Sequence, residues 1–62
     1  MTRDQLIEMA KRVLKSEDRA QEWLSRQHPL LNMHAPQDLL SSHFGRDRVE
    51  HLLVRIEAGF AV

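Results

Sequence analysis

The sequence predicts an all-α protein, a compact bundle of about four short helices. Apolar residues recur at spacings of three and four positions, as they do along one side of an α-helix. Glycine and proline each occur only twice, and no run alternates Val, Thr or Tyr with polar residues as a half-buried strand would. Hydroxyl residues precede two of the periodic stretches, where they can cap helix N-termini.

The chain of 62 residues is long enough for one domain, 1–62, with a thin core. It contains no cysteine, so no disulfide reinforces the fold and nothing indicates an oxidising compartment. Domains this small usually depend on close helix packing or on a second chain, and we therefore expect a protein partner. We expect a cytoplasmic protein, because neither an apolar run of membrane-spanning length nor a signal-peptide pattern is present.

The first helix is predicted to begin after Thr2. Thr2 and Gln5 have the spacing of a capping box, in which each side chain accepts a hydrogen bond from the other residue's backbone N–H. The apolar residues of this helix cover a wide arc: Leu6, Ile7, Met9, Ala10, Val13 and Leu14. Such an arc fits a helix sunk in a small bundle, and it equally fits a helix that also meets another chain.

Ser16 predicts the N-cap of a second, short helix that ends before His28 and Pro29. Within it, Trp23 lies on the same side as the other apolar residues of the helix. Trp23 is the only tryptophan of the chain, and we expect it to be the largest side chain of the core.

A connection and a third short helix lead to the last element. The segment 29–35 carries three large apolar side chains and is predicted to fold back over the core. Pro36 suits the first position of a helix whose Leu39 and Leu40 point inward. We expect Phe44 to fill the corner between this helix and the next.

The last helix is predicted over the segment 45–59, bracketed by Gly45 and Gly59, with Asp47 in its first turn. Four branched aliphatic residues form one stripe along it: Val49, Leu52, Leu53 and Ile56. Beside the stripe lies a basic flank that consists of Arg48, His51 and Arg55. Such a flank is either a solvated edge or, because arginine binds carboxylate and phosphate bidentately, part of an interface.

Residue types used in catalysis and metal binding occur, but their arrangement does not suit either role. No two of the four histidines are three or four positions apart, and no cysteine or carboxylate cluster completes a ligand set, so we expect neither a metal nor another cofactor. Asp38, Ser41, Ser42 and His43 fall within six consecutive positions, where they cannot form the pocket that a catalytic triad needs. We therefore expect no enzymatic activity.

DNA binding through a helix–turn–helix in the region 39–56 is an alternative. In that motif the second helix presents a basic or amide-rich side to the major groove. Here the outer side holds Asp47, Glu50 and Val54, and only the basic flank could serve. Lys plus Arg and Asp plus Glu balance at nine each, so the chain has no overall positive field to attract nucleic acid.

From Ala20 onward the chain resembles a known family. The residues that carry the likeness are Ala20, Trp23, Leu24, Leu31, Ala35, Pro36, Leu39, Leu40, Gly45, Val49, Leu52, Leu53, Arg55, Ile56, Glu57 and Gly59. They follow the pattern A-x-x-W-L, a loop, P-x-x-L-L and then G-x-x-x-V-x-x-L-L-x-R-I-E-x-G. This pattern is similar to that of the toxin-binding domain of Xre/MbcA/ParS-type antitoxins.

The resemblance implies a role in a bacterial toxin–antitoxin system. Members of the family bind a cognate RES-domain toxin, an ADP-ribosyltransferase-like enzyme that consumes NAD, and cover its active site with the C-terminal end of this domain. By position, that end comprises Arg55, Glu57, Gly59, Phe60, Ala61 and Val62. Together with Arg48 and His51 of the basic flank, these are the predicted partner-binding residues.

The chain departs from the family pattern in two respects. Members commonly have glycine in the loop where this chain has Asn32 and Met33, so the loop conformation is not carried over. Full-length members often have an N-terminal helix–turn–helix-like domain, for which we expect no room here, so we do not expect nucleic-acid binding. The alternative to an antitoxin is a homodimerising or adaptor module of the same fold, or, with less support, a DNA-binding regulator.

Overall fold

A computed structural model describes residues 1–59, and these residues form helices and turns. Three α-helices span Arg3–Leu14 (α1), Glu17–Ser25 (α2) and His43–Glu57 (α3), and 3₁₀-helices at Pro29–Leu31 and Pro36–Leu39 lie between α2 and α3. The all-helical prediction is confirmed, and within residues 1–59 the only β-type pairing is an isolated bridge between His28 and His34. No described helix is long and apolar enough to cross a membrane.

The predicted caps of the first two helices are present. The Thr2 hydroxyl accepts a hydrogen bond from the Gln5 backbone N–H at 3.2 Å, and the Gln5 side-chain carbonyl accepts one from the Thr2 N–H at 2.9 Å. At the start of α2, the Ser16 hydroxyl accepts from the Arg19 N–H at 3.3 Å. Both caps satisfy N–H groups that a helix leaves unpaired, which explains why these helices begin where they do.

The prediction of a fourth α-helix is wrong. The segment after Pro36 forms a single 3₁₀-helix of four residues, Pro36–Leu39, and Leu40 follows it as a buried side chain. The run between Pro36 and the next cap, Ser42, is too short for the successive hydrogen-bonded turns that stabilise an α-helix. Leu40 points into the core as expected, whereas Leu39 is only partly buried.

The predicted start of the last helix is also wrong. α3 begins at His43, because the Ser42 hydroxyl accepts a hydrogen bond from the Gly45 N–H at 3.0 Å and so caps the helix. Gly45 is therefore a buried residue of the first turn, and Asp47 lies beyond that turn, 3.5 Å from the His43 ring nitrogen Nε2. Gly59, with φ 102°, follows the helix end as predicted.

This earlier start also changes the position of Phe44. The side chain does not fill a corner but is 82% exposed, whereas the neighbouring Gly45 faces the second 3₁₀-helix. The core instead consists of side chains from all three α-helices and the connection, among them Leu6, Ala10, Ala20, Trp23, Leu24, Leu31, Leu40, Val49, Leu52 and Leu53. Trp23 is buried as predicted.

The wide apolar arc of α1 is accounted for largely within the chain. α1 packs against both α2 and α3, so its Leu6 and Ala10 are fully buried. Ile7, Val13 and Leu14 lie at the edge of the same core and are partly buried. The interpretation of α1 as a helix sunk in a small bundle therefore describes the isolated chain.

The connection after α2 folds back only in part. Leu31 is buried as predicted, but Leu30 and Met33 are 55% and 53% exposed. The backbone N–H groups of Leu31 and Met33 both donate to the His28 carbonyl, at 2.9 and 2.8 Å, which closes a tight turn. In this turn Asn32 and Met33 both have positive φ, 55° and 64°, a region that favours glycine. These are the positions at which the similar family commonly has glycine.

Candidate partner-binding surface

Arg48, His51 and Arg55 project from one side of α3. They are spaced by three and four residues, so their side chains are neighbours along the helix, and all three are exposed. With Leu30, Leu31 and Leu52 they line a depression of about 220 Å³, which we call the α3 groove. The structure thus brings the three residues of the predicted basic flank together with the connection that follows α2.

The α3 groove has an apolar floor and a basic rim. Leu31 and Leu52 are buried and form part of the core, while Leu30 stands more than half exposed at the edge. None of the described residues that line the groove is acidic. Arg48 and His51 make no hydrogen bond or ion pair with any other residue in the part of the chain that the structure describes. A group that binds here therefore meets positive charge beside apolar surface.

Phe44 extends this surface toward the start of α3. It precedes Arg48 by four positions and His51 by seven, which places it on the same side of the helix. Among residues 1–59 its ring has one aromatic neighbour, His43, at a centroid distance of 6.3 Å. Neither Phe44 nor Leu30 was identified from the sequence as a surface residue. The Ser42 cap, which sets the start of α3, is the signal that could have placed Phe44 outside.

The other predicted binding residues do not all belong to this surface. Glu57 lies on the opposite side of α3 from Arg55, and its carboxylate is 4.0 Å from the Arg12 guanidinium of α1. Gly59 is exposed just beyond the helix end. Phe60, Ala61 and Val62, which were predicted to bind the partner, lie outside the described residues. The remaining side of α3 carries Asp47 and Glu50 beside the exposed Val54.

The hydroxyl and imidazole groups that resembled a triad have structural roles. The Ser42 hydroxyl caps α3, and the His43 ring lies near the Asp47 carboxylate on the surface of the same helix. His28 is buried, and its Nε2 lies 3.2 Å from the Trp23 carbonyl oxygen. Among residues 1–59 there is no group of three or more His, Cys, Asp or Glu side chains that could hold a metal ion.

The structure also bears on the helix–turn–helix interpretation. The element before α3 is a 3₁₀-helix of four residues rather than an α-helix, so the region 39–56 lacks the first helix of that motif. Arg48, the residue of the basic flank nearest the start of α3, has the apolar side chains of Leu30 and Leu52 as neighbours in the groove. This arrangement suits a protein surface better than a row of phosphates.

Comparison with known proteins identifies a family. The model of a family described as the antitoxin Xre/MbcA/ParS C-terminal toxin-binding domain matches residues 9–59. The matched region includes the second half of α1, all of α2 and α3, and every residue of the α3 groove. No curated protein and no solved structure matches the chain.

Proposed function

The chain belongs to the antitoxin Xre/MbcA/ParS C-terminal toxin-binding domain family, and from this we propose that it binds and neutralises a RES-domain toxin that consumes NAD. The family is the toxin-binding part of antitoxins, so an antitoxin-like role and a cognate toxin partner follow from membership. The RES-domain identity of the toxin and the way in which it is blocked are our proposals. The family match over 51 of the 62 residues, 9 to 59, is the observation that carries them.

The proposed mechanism is steric. The end of α3 and the residues after it cover the toxin's active site, so that NAD cannot enter. The accessibility of this end supports the proposal: Arg55, Glu57 and Gly59 are all exposed, and a partner can reach them without unfolding the domain. Phe60, Ala61 and Val62 continue the chain from there and complete the proposed inhibitory segment.

A small prefolded helix suits this task. α3 is anchored by Val49, Leu52 and Leu53, which are buried against the rest of the domain. Because its conformation is fixed before it meets the toxin, little conformational entropy is lost on binding. Inhibition of this kind requires neither a catalytic group nor a cofactor in the chain itself.

The experiment that tests the proposal uses the full chain and the protein encoded by the neighbouring gene. The two are coexpressed and copurified, and NAD consumption by the neighbour is then measured with and without an excess of this chain. We expect a stable complex and suppressed NAD consumption. Undiminished NAD loss in the presence of excess chain would contradict the proposal.

The exposed Phe44 and Leu30 would also serve a homodimerising or adaptor module of the same fold. A chain that forms a dimer alone and ignores the neighbour's product, as measured by sedimentation equilibrium, would favour that alternative. A DNA-binding regulator predicts a salt-sensitive shift of duplex DNA that Arg48→Ala and Arg55→Ala weaken uniformly. We expect no such shift.

A further inference from the structure

We infer that the α3 groove and Phe44 form a second docking surface, which receives an acidic side chain that stands beside a large apolar one on the toxin. This inference rests on the proposed function and extends it. The proposed inhibitory segment begins at Arg55, which lines one end of the α3 groove, whereas Arg48 lies 11 residues before Gly59. At the rise of an α-helix this separation is about 16 Å, so the part of the second surface around Arg48 and Phe44 reaches a region of the toxin away from the blocked cleft.

The charge of Arg48 is not balanced within the described chain. Four basic residues in or directly after α1 and α2, namely Arg3, Lys11, Arg12 and Arg26, each have a carboxylate within 4.0 Å. Arg48 has no such partner among residues 1–59, and no described residue lining the groove is acidic. A carboxylate supplied by a partner would provide the bidentate acceptor that a guanidinium binds best.

Two exposed apolar side chains lie beside this charge. Phe44, 82% exposed, stands one helical turn before Arg48, and Leu30, 55% exposed, lines the groove with Arg48. They are two of the five large hydrophobic side chains that the described residues leave exposed. An aromatic ring next to an arginine is a combination that recurs at the energetic centres of protein interfaces. The complementary surface is therefore apolar with an acidic group.

The same observations favour a protein over a nucleic acid as the occupant. Phosphate binding needs a row of cations, and the neighbouring edge of α3 carries Asp47 and Glu50 instead. The whole chain has a formal net charge of zero, so nothing beyond the groove attracts a polyanion. An apolar floor made by Leu31 and Leu52 contributes to binding only when a partner's apolar side chain covers it.

These residues can be changed without disturbing the fold. Arg48 makes no hydrogen bond or ion pair with a described residue. Phe44 is 82% exposed, and within residues 1–59 its ring is paired only with that of the adjacent His43. Two matched controls are available in the chain. Arg19→Glu changes the net charge as Arg48→Glu does, at an exposed position on α2, and Val54→Ala removes an exposed apolar side chain from another side of α3.

The test measures the affinity of the 62-residue chain and its variants for the toxin encoded by the neighbouring gene, by isothermal titration calorimetry at low and high salt. We expect Arg48→Glu and Phe44→Ala each to weaken binding roughly tenfold or more, as interface anchors do. Arg48→Glu should also reduce the salt dependence of the affinity, since it removes a cation from the interface. The two control variants should bind as the wild type does. A charge reversal at the facing carboxylate of the toxin should restore binding to Arg48→Glu.

The possible failures are distinguishable. If the wild type binds the toxin and both Arg48→Glu and Phe44→Ala bind it equally well, the docking surface is overturned and the proposed function stands. If the wild type does not bind the toxin at all, both are overturned. If Arg48→Glu instead abolishes self-association or a shift of duplex DNA while toxin affinity is unchanged, the occupant is a second copy or a nucleic acid, and the inference is wrong.

Discussion

Gly45 of α3 and Leu39 of the second 3₁₀-helix are in direct backbone contact. A Cβ atom at position 45 would lie 1.9 Å from the Leu39 carbonyl oxygen and 2.8 Å from its carbonyl carbon. No side chain larger than hydrogen fits this space, so the approach of the connection to α3 depends on glycine. The contact positions the first turn of α3, from which Phe44 and Arg48 follow.

Gly45→Ala should therefore destabilise the protein. In an unconstrained helix, alanine is favoured over glycine by about 1 kcal/mol. Here we expect alanine to lower the free energy of unfolding by about 1–3 kcal/mol, because the backbones of α3 and the 3₁₀-helix must move apart. Urea unfolding followed by the fluorescence of Trp23, the only tryptophan, gives the change in the free energy of unfolding. Val54→Ala, at an exposed position of α3, serves as the control. A Gly45→Ala variant as stable as the wild type would show that the contact is not required.

Ser42→Ala should remove the cap of α3. The Ser42 hydroxyl is the acceptor for the Gly45 N–H, and its loss leaves that N–H without this partner. We expect a decrease of about 1 kcal/mol in the free energy of unfolding. Ser41→Ala is the matched control, because Ser41 is an exposed neighbour outside the helix. Equal effects of the two substitutions would contradict the assignment of Ser42 as the cap.

Met33→Gly should stabilise the protein. Met33 has a φ of 64°, which an L-residue adopts at an energetic cost and glycine adopts freely. Because its side chain is largely exposed, little burial is lost, and we expect a gain of about 0.5–1 kcal/mol after the added flexibility of the unfolded chain is counted.

The control for this change is Leu30→Gly. Leu30 is as exposed as Met33 but does not have a positive φ, so glycine there should only destabilise. Thermal unfolding followed by circular dichroism compares the two variants. If Met33→Gly melts at or below the wild-type temperature, the strain that we assign to position 33 is absent.

His28→Ala should destabilise the core, whereas His34→Ala should not. His28 is only 5% exposed, and with its proton on Nε2 it donates to the Trp23 carbonyl oxygen at 3.2 Å. Its ring also lies 5.1 Å from the Trp23 ring between centroids. Removal of the imidazole ring leaves a cavity and takes away this hydrogen bond, so we expect the free energy of unfolding to fall by about 2–3 kcal/mol. His34 is exposed, and its bridge to His28 uses backbone groups that alanine retains. The two variants are compared by their midpoints of urea unfolding. If the midpoint of His28→Ala is close to that of His34→Ala, His28 does not have this role in the core.

Local signals predicted the three α-helices well. The capping residues Thr2 and Ser16 and the 3.6-residue periodicity act within a few positions of the chain, so they can be read from the sequence. The start of α3 was misplaced because Gly45 was interpreted as a boundary. Its actual role is a contact with Leu39, which depends on how two elements pack and leaves no periodic pattern.

The candidate surface was predictable to a similar extent. The helical spacing in the sequence predicted that Arg48, His51 and Arg55 lie side by side, because residues three and four apart on a helix are neighbours. The spacing could not predict that Leu30 lines the same groove, since the position of Leu30 depends on the turn closed by the His28 carbonyl. The exposure of Phe44 followed from the true helix start and was missed for the same reason as the start itself.

Deletion of Phe60, Ala61 and Val62 should separate the two parts of the proposed interface. The groups that hold α3 in place include the Ser42 cap, the buried Val49 and Leu53 and the ion pair between Glu57 and Arg12, all within residues 1–59. We therefore expect the shortened chain to keep the helical circular dichroism of the full chain. It should still bind the toxin through the α3 groove, but its inhibition of NAD consumption should fall roughly tenfold or more, because the segment proposed to enter the active site is gone.

The variant that combines the deletion with Arg48→Glu should lose binding as well, whereas the deletion with Arg19→Glu should behave as the deletion alone. If the shortened chain suppresses NAD consumption as strongly as the full chain, the active site is covered by a different face of the domain, and the groove becomes the first surface to test for that role.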